Sequence, residues 1–173
     1  MIHAKRIWFG LLILALSATF AHAQDAAKGT EKLLKASDMT EKILPDRVFF
    51  RGQVAGVQKR NAAGVHYADD AYVIVTLVDS SGYSTDIREK YQGYLLSEVP
   101  LMIGDQKVPA GAYGFGFVGG KLTIMDLGSH EVAQTASAKD ADMKRPVPLQ
   151  IVGPAGKYRL YAGREYVELS RAQ

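Results

Sequence analysis

The chain of 173 residues contains no cysteine. That absence removes disulfides, thiolate metal sites, cysteine nucleophiles and the lipid-attachment cysteine a bacterial lipoprotein needs. Histidine is scarce, with four in the whole chain, and tryptophan occurs once. No run of lysine and arginine exceeds two residues, which argues against nucleic-acid binding driven by phosphate contacts. The Gly-x-Ser-x-Gly elbow, the His-Glu-x-x-His helix and the phosphate-cradling glycine loop are all missing. What these gaps exclude is most of the common catalytic repertoire.

What is present begins with an address. Lys5 and Arg6 open the chain, an apolar run follows from Ile7 to Leu16, and Ala21-His22-Ala23 supplies small residues at an exit. That order reads as a cleavable secretory signal over residues 1–23, cut between Ala23 and Gln24. The run is about half the roughly twenty residues that span a bilayer, so no transmembrane anchor is expected in the mature protein. Removing 23 of 173 residues leaves 150, enough for one domain that buries roughly 68–70% of its unfolded surface. Lys5 and Arg6 leave with the signal, taking 21 basic residues to 19 against 18 acidic ones, a net charge of +1. His3, His22 and Trp8 leave too, so only His66 and His130 remain. A cysteine-free exported domain of this size points to the bacterial envelope, periplasmic or extracellular.

Residues 24–45 read as a polar lead-in to Gly29 and then a helix from Thr30 to Leu44, stopped by Pro45. Beyond Pro45 the pattern turns to strands. Val48 to Gln58 is rich in Val and Phe, and Asn61 to Asp70 reads as a polar connection. Tyr72 to Val78 is nearly all β-branched or aromatic, as in a strand covered on both faces. Asp79 to Gly82 is a turn, Ser84 caps a short helix through Lys90, and Leu95 to Ile103 is a strand interrupted by Pro100. Gly119-Gly120 between two strand-like runs signals a hairpin, because both central residues of a type I′ turn need positive φ. Seven or eight short strands over residues 46–173 predict an antiparallel β-sandwich, with a small β-barrel as the alternative.

The stretch Pro109-Ala110-Gly111-Ala112-Tyr113 resembles the Pro-Ala-Gly-x-Tyr phrase of a family of secreted bacterial β-proteins of undefined function. The likeness covers roughly residues 84 to 127. It implies a jelly-roll-like sandwich and supplies no catalytic residues.

Three constellations carry candidate chemistry. His66, Asp69 and Asp70 could ligate a divalent metal or form a general base with its orienting acid, provided His130 and Glu131 converge on them. Ser80 or Ser81 with His66 and Asp69 or Asp70 sketches a hydrolase triad, against the ordinary reading of Asp-Ser-Ser-Gly as a turn. Asp140 and Asp142 lack the Gly and Glu that complete a calcium loop. In Tyr113-Gly114-Phe115-Gly116-Phe117 the strand period puts aromatics on one face and bare backbone on the other, a face the N-terminal helix is expected to cover.

The last hairpin gives the sharpest expectation. A two-residue turn at Ala162-Gly163 sets Tyr161 against Arg164, Arg159 against Tyr166 and Lys157 against Glu168 on one face. Arg159, Tyr161, Arg164 and Tyr166 then form a guanidinium–phenol platform suited to a carboxylated sugar or another anion. No cofactor and no catalytic residue is expected. The reading is an exported, non-enzymatic binding or accessory β-domain, its partner an anionic small molecule, a glycan or an envelope protein. The alternatives are a hydrolase or metal-dependent enzyme at His66/Asp69/Asp70, and a module that adds the Pro146–Val152 segment to a partner strand.

Overall fold

Period-two alternation beyond Pro45 is followed by the backbone almost throughout. The computed structural model describes residues 30–39 and 42–173, so the proposed signal, the Ala23–Gln24 cut and the lead-in lie outside the described residues. The first half forms β1 (Lys32–Leu34), β2 (Arg47–Phe50), β3 (Gln53–His66), β4 (Tyr72–Asp79), helix α1 (Thr85–Lys90), β5 (Gly93–Ser97), β6 (Leu101–Ile103) and β7 (Gln106–Val108). The second half adds β8 (Gly111–Val118), β9 (Lys121–Met125), β10 (Glu131–Ala136), β11 (Ala138–Lys139), β12 (Gln150–Val152), β13 (Tyr158–Ala162) and β14 (Glu165–Arg171).

Two antiparallel sheets result. The first has eight strands in the order β1-β3-β4-β5-β8-β9-β10, with β2 also pairing β3. The second has six, in the order β12-β13-β14-β6-β7, with β11 pairing β14. The sheets are open and face each other as a sandwich; they do not close into the alternative barrel.

Two prolines mark where the chain changes sheets. β5 and β8 pair in the first sheet, while the β6–β7 hairpin between them belongs to the second. Pro100 precedes β6 and Pro109 follows β7, so the interrupted strand expected over Leu95–Ile103 is two strands in two sheets. Between the sheets lies the main core. Val65, Val73, Val75, Leu95, Phe115 and Ile124 come from one side, and Leu101, Ile103, Ile151, Leu160, Val167 and Leu169 from the other.

The first sheet is also buried on its outer face. Val48, Phe50, Ala55, Val78, Tyr83, Tyr91 and Met125 form one outer cluster, and Leu34, Met39, Leu44, Ala62 and Ile74 another. This is why β4 carries four consecutive buried residues, Val73 to Thr76. Its expected double cover is real.

The N-terminal helix is not formed as expected. Lys32–Leu34 instead adds to β3 as a strand, in register with Gly64–His66. A single 3-10 turn follows at Ala36–Asp38, with the Lys35 amide donating to the Asp38 carboxylate at 2.9 Å. Ser37-Asp38 breaks any continuous apolar helical face, so pairing with β3 and burial of Leu34 prevail over helix propensity. Residues 30–39 thus belong to the sandwich rather than leading up to it.

Candidate functional site

β13 and β14 form the central hairpin of the second sheet, with Tyr161 opposite Tyr166, Arg159 opposite Glu168 and Leu160 opposite Val167. The turn is Gly163-Arg164, not Ala162-Gly163, and Gly163 takes φ 61° as the first central residue of a type II′ turn. The expected register was therefore wrong by two positions. A shift of two preserves which side chains share a face. Tyr158, Leu160, Val167 and Leu169 still point into the core, and Arg159, Tyr161, Tyr166 and Glu168 still share the outer face.

On that outer face the Arg159 guanidinium carbon lies 4.5 Å from the centre of the Tyr166 ring, the cation–π contact expected from the sequence. Tyr166 in turn leans on Tyr161, with ring centres 5.0 Å apart. The Tyr161 hydroxyl, and after it the Tyr166 phenol, raise the Arg159 pKa, so the cation persists at every working pH. Lys157, Arg159, Glu168, Met102, Val152 and Pro154 border an open groove of about 690 Å³. Val152, Arg159 and Glu168 lie side by side across β12, β13 and β14, with Met102 beyond them on β6, so apolar, basic and acidic side chains alternate across this shallow trough.

Two members of the expected platform are held by the chain itself, Tyr161 within the face and Arg164 away from it. Tyr161 is buried, and its hydroxyl donates to Asp140 Oδ2 at 3.0 Å. Asp140 Oδ1 also accepts the amides of Asp142 and Met143, so this acid pins the 140–143 loop rather than gathering calcium. Arg164 sits in the turn and donates from Nε to the Met143 carbonyl at 3.2 Å. Both corrections have one cause: the polar loop before Pro146 folds back over this end of the hairpin.

His66 ends β3 rather than lying in a loop. Its Nε2 is 2.7 Å from Asp70 Oδ1, and its ring stacks on Tyr72 at 4.2 Å. Asp70 holds φ 66° in the tight turn that joins β3 to β4. Asp69 faces elsewhere, 2.7 Å from the Arg171 guanidinium, which holds its carboxyl below the ordinary range. Ser80 and Ser81 follow the far end of β4, an eight-residue strand, so about 24 Å of extended backbone separates them from His66. The triad sketch fails on that length.

His130 lies just before β10, five strand steps from β3 in the sheet order, about 24 Å along the sheet at the usual strand spacing. Its Nδ1 lies 3.1 Å from Asp126 Oδ2, while Asp126 Oδ1 accepts the amides of Gly128 and His130. Those bonds, led by the His130 amide, depress the Asp126 pKa. The histidine and acid shape the β9–β10 turn. Glu131 starts β10 beside it and does not approach His66. Among the described residues, no three His, Asp or Glu side chains are placed to hold one metal ion.

The glycine face of β8 is covered, but not by an N-terminal helix. A Cβ at Gly114 would meet Phe50 and Tyr91, and one at Gly116 would run into the Lys90 carbonyl. Phe50 and Tyr91 stack at 3.9 Å, so α1 and β2 close this face. The Pro146–Val152 segment is tied down likewise. Its β12 lies at the edge of the second sheet, yet Leu149 and Ile151 are core residues and the Gly163 amide donates to the Val147 and Pro148 carbonyls.

One cluster had no signal in the sequence. The Tyr158 hydroxyl donates to Glu31, 127 positions away, beside the buried Tyr67 hydroxyl, which has no partner. Burial, then Glu31, pushes the Tyr67 pKa up to about 12. No local pattern announces a contact between residues so distant in the chain.

Among the described residues, no helix is long and apolar enough to cross a membrane. Comparison with family models, with curated proteins and with solved structures finds no match for this chain.

Proposed function

We propose that this is an exported, non-enzymatic binding protein of the bacterial envelope, and that its ligand is an anion seated in the outer groove of the second sheet. The observation that carries the reading is Arg159. Its guanidinium is packed over Tyr166 on one side and borders a 690 Å³ groove with Lys157. A guanidinium held by an aromatic face keeps its planar donors in one orientation, which suits a carboxylate or sulfate. Apolar side chains at both margins, Val152 and Pro154 on one side and Met102 on the other, favour a ligand with a hydrocarbon or sugar-ring face. An acidic oligosaccharide has both features. The basic start, apolar run and small-residue exit of residues 1–23 support export.

Calorimetric titration with trigalacturonate and with uncharged maltotriose tests this. The acidic sugar is expected to bind saturably and the neutral one not. Arg159→Ala should weaken binding by about tenfold or more, since a charge-assisted bond is worth about 1.5–3 kcal/mol. Arg164→Ala, at the turn, should leave it unchanged. Equal binding of the two sugars, or full binding by Arg159→Ala, rejects the site.

A further inference from the structure

The outer face of the first sheet carries a pocket of its own. The β2–β3 turn, α1 and the β9–β10 turn enclose about 360 Å³, room for one small molecule. Met125 and Ile87 form its base, Met125 buried and Ile87 packed against the same outer cluster. Exposed charges of both signs border it: Arg51, Lys90, Asp86 and Glu131.

The backbone around this pocket adopts conformations that glycine usually takes. Among the described residues three non-glycine residues hold positive φ, and two of them border the pocket, Arg51 at 47° and Ser129 at 74°. Such conformations are costly for residues with side chains, and they gather at ligand sites. The two turns are also fixed to each other, because the Arg51 amide donates to the Leu127 carbonyl at 2.7 Å. Beside them β10 joins β9 through a bulge between Glu131 and Ala133, an irregularity common next to binding sites.

Charge selects the occupant. Among the described residues Arg51, Lys90, Asp86 and Glu131 make no ion pair. Asp86 and Lys90 stand about 6 Å apart along α1, yet they do not meet. His130 borders the pocket too, but its Nδ1 is held by Asp126. Two cations and two carboxylates sum to zero, so a lone anion or a lone cation is repelled by half of them. A molecule bearing both signs is matched by all four. The apolar base directly beneath takes a short hydrocarbon chain, whereas a zwitterionic lipid headgroup carries its hydrocarbon away from its charges. We infer that this pocket binds a free aliphatic α-amino acid. Its carboxylate lies on Arg51 and Lys90, whose planar and point-charge donors suit it, its ammonium on Asp86 and Glu131, and its side chain on Ile87 and Met125. This site is independent of the Arg159 groove.

Titrating the intact nitrogen-15-labelled protein with leucine is expected to shift the amides of Arg51, Lys90, Ser129 and Glu131 saturably. N-acetylleucine lacks the ammonium and leucinamide lacks the carboxylate, and each should bind about tenfold or more weakly. Glycine keeps both charges without the side chain and should fall behind leucine by about as much. In Arg51→Gln/Lys90→Gln the preference for leucine over leucinamide should vanish. In Asp86→Asn/Glu131→Gln the preference for leucine over N-acetylleucine should vanish instead. All four substituted side chains are exposed, so both variants should melt close to the unsubstituted protein. The inference is overturned by no saturable response to leucine, by derivatives that bind as well as leucine, or by variants that keep both preferences. Association with phosphatidylethanolamine vesicles in place of leucine overturns it too, because the charges then serve a headgroup.

Discussion

Tyr83 and Tyr91 touch each other, edge to face at 5.3 Å, yet their hydroxyls have opposite circumstances. Tyr83 donates to the Phe50 carbonyl at 2.9 Å, whereas the fully buried Tyr91 hydroxyl has no partner. Burial raises both pKa values, so neither phenol ionises at neutral pH. Tyr83→Phe removes a satisfied buried bond and should cost about 1 kcal/mol. Tyr91→Phe removes an unpaired polar atom and keeps the stack on Phe50. It should be neutral or stabilising. Chemical denaturation of the two variants checks the difference, and an equal loss in both would mean that the Tyr91 hydroxyl is bonded after all. Gly116 is stricter. Alanine there drives a Cβ into the Lys90 carbonyl and should destabilise by roughly 2 kcal/mol or more. Gly156, with nothing near its Cβ position but φ 75°, should lose only about 1 kcal/mol as alanine.

At the level of elements, turn chemistry was the most legible part of the chain. Gly119-Gly120 adopts φ 60° and 76° between β8 and β9, as the pair of glycines demands. Replacing Gly120 with valine should cost about 1–2 kcal/mol by forcing a β-branched residue into the left-handed region, while Gly119→Asn should be tolerated. Thermal unfolding of both variants would show the contrast. The short helix through Lys90 forms with Ser84 at its N-cap position, although the serine side chain makes no capping bond, and the alternation of β13 and β14 assigns their faces correctly. Misreadings had local causes. Arg51-Gly52 makes a hairpin turn through an arginine at positive φ, so β2 and β3 read as one strand. β3 runs on to His66 because the bulge between Gln58 and Ala62 carries the polar Lys59-Arg60-Asn61 without ending the ladder. The expected loop there is strand. β10 went unread because exposed Val132 and buried Ala133 invert the usual apolar pattern beside another bulge.

For the whole molecule, the sandwich was legible because alternation and turn spacing are local properties of the chain. The layer outside the first sheet was not, since Phe50, Tyr91 and Met125 converge only after the sheets form. The Arg159–Tyr166 contact was expected from a turn placed one residue too early and occurs as a diagonal contact, because the strand period keeps both residues on one face. Tyr161 and Arg164 depend on a loop whose path no spacing predicts. Acid stability is likewise a property of the ensemble of carboxylates. Asp69, Asp105 and Asp126 all have depressed pKa values, through Arg171, through Gln106 and Thr135, and through the His130 amide. A group whose folded pKa lies below its unfolded value binds fewer protons when folded. Its contribution is therefore complete above about pH 4 and is lost as pH falls through the folded value. The melting temperature should be level from pH 7 to about 4 and fall below it, and Asp126→Asn should make that acid decline shallower. An unchanged decline would remove Asp126 from the account.

The groove beside Arg159 is the centre of the functional reading, and amide chemical shifts address it most directly. Titrating the nitrogen-15-labelled protein with trigalacturonate should move the resonances of Met102, Val152, Lys157, Arg159 and Glu168 together, and not those of Arg159→Ala. Shifts gathered instead around His66, Asp69 and Asp70, or no shifts at all, would contradict it.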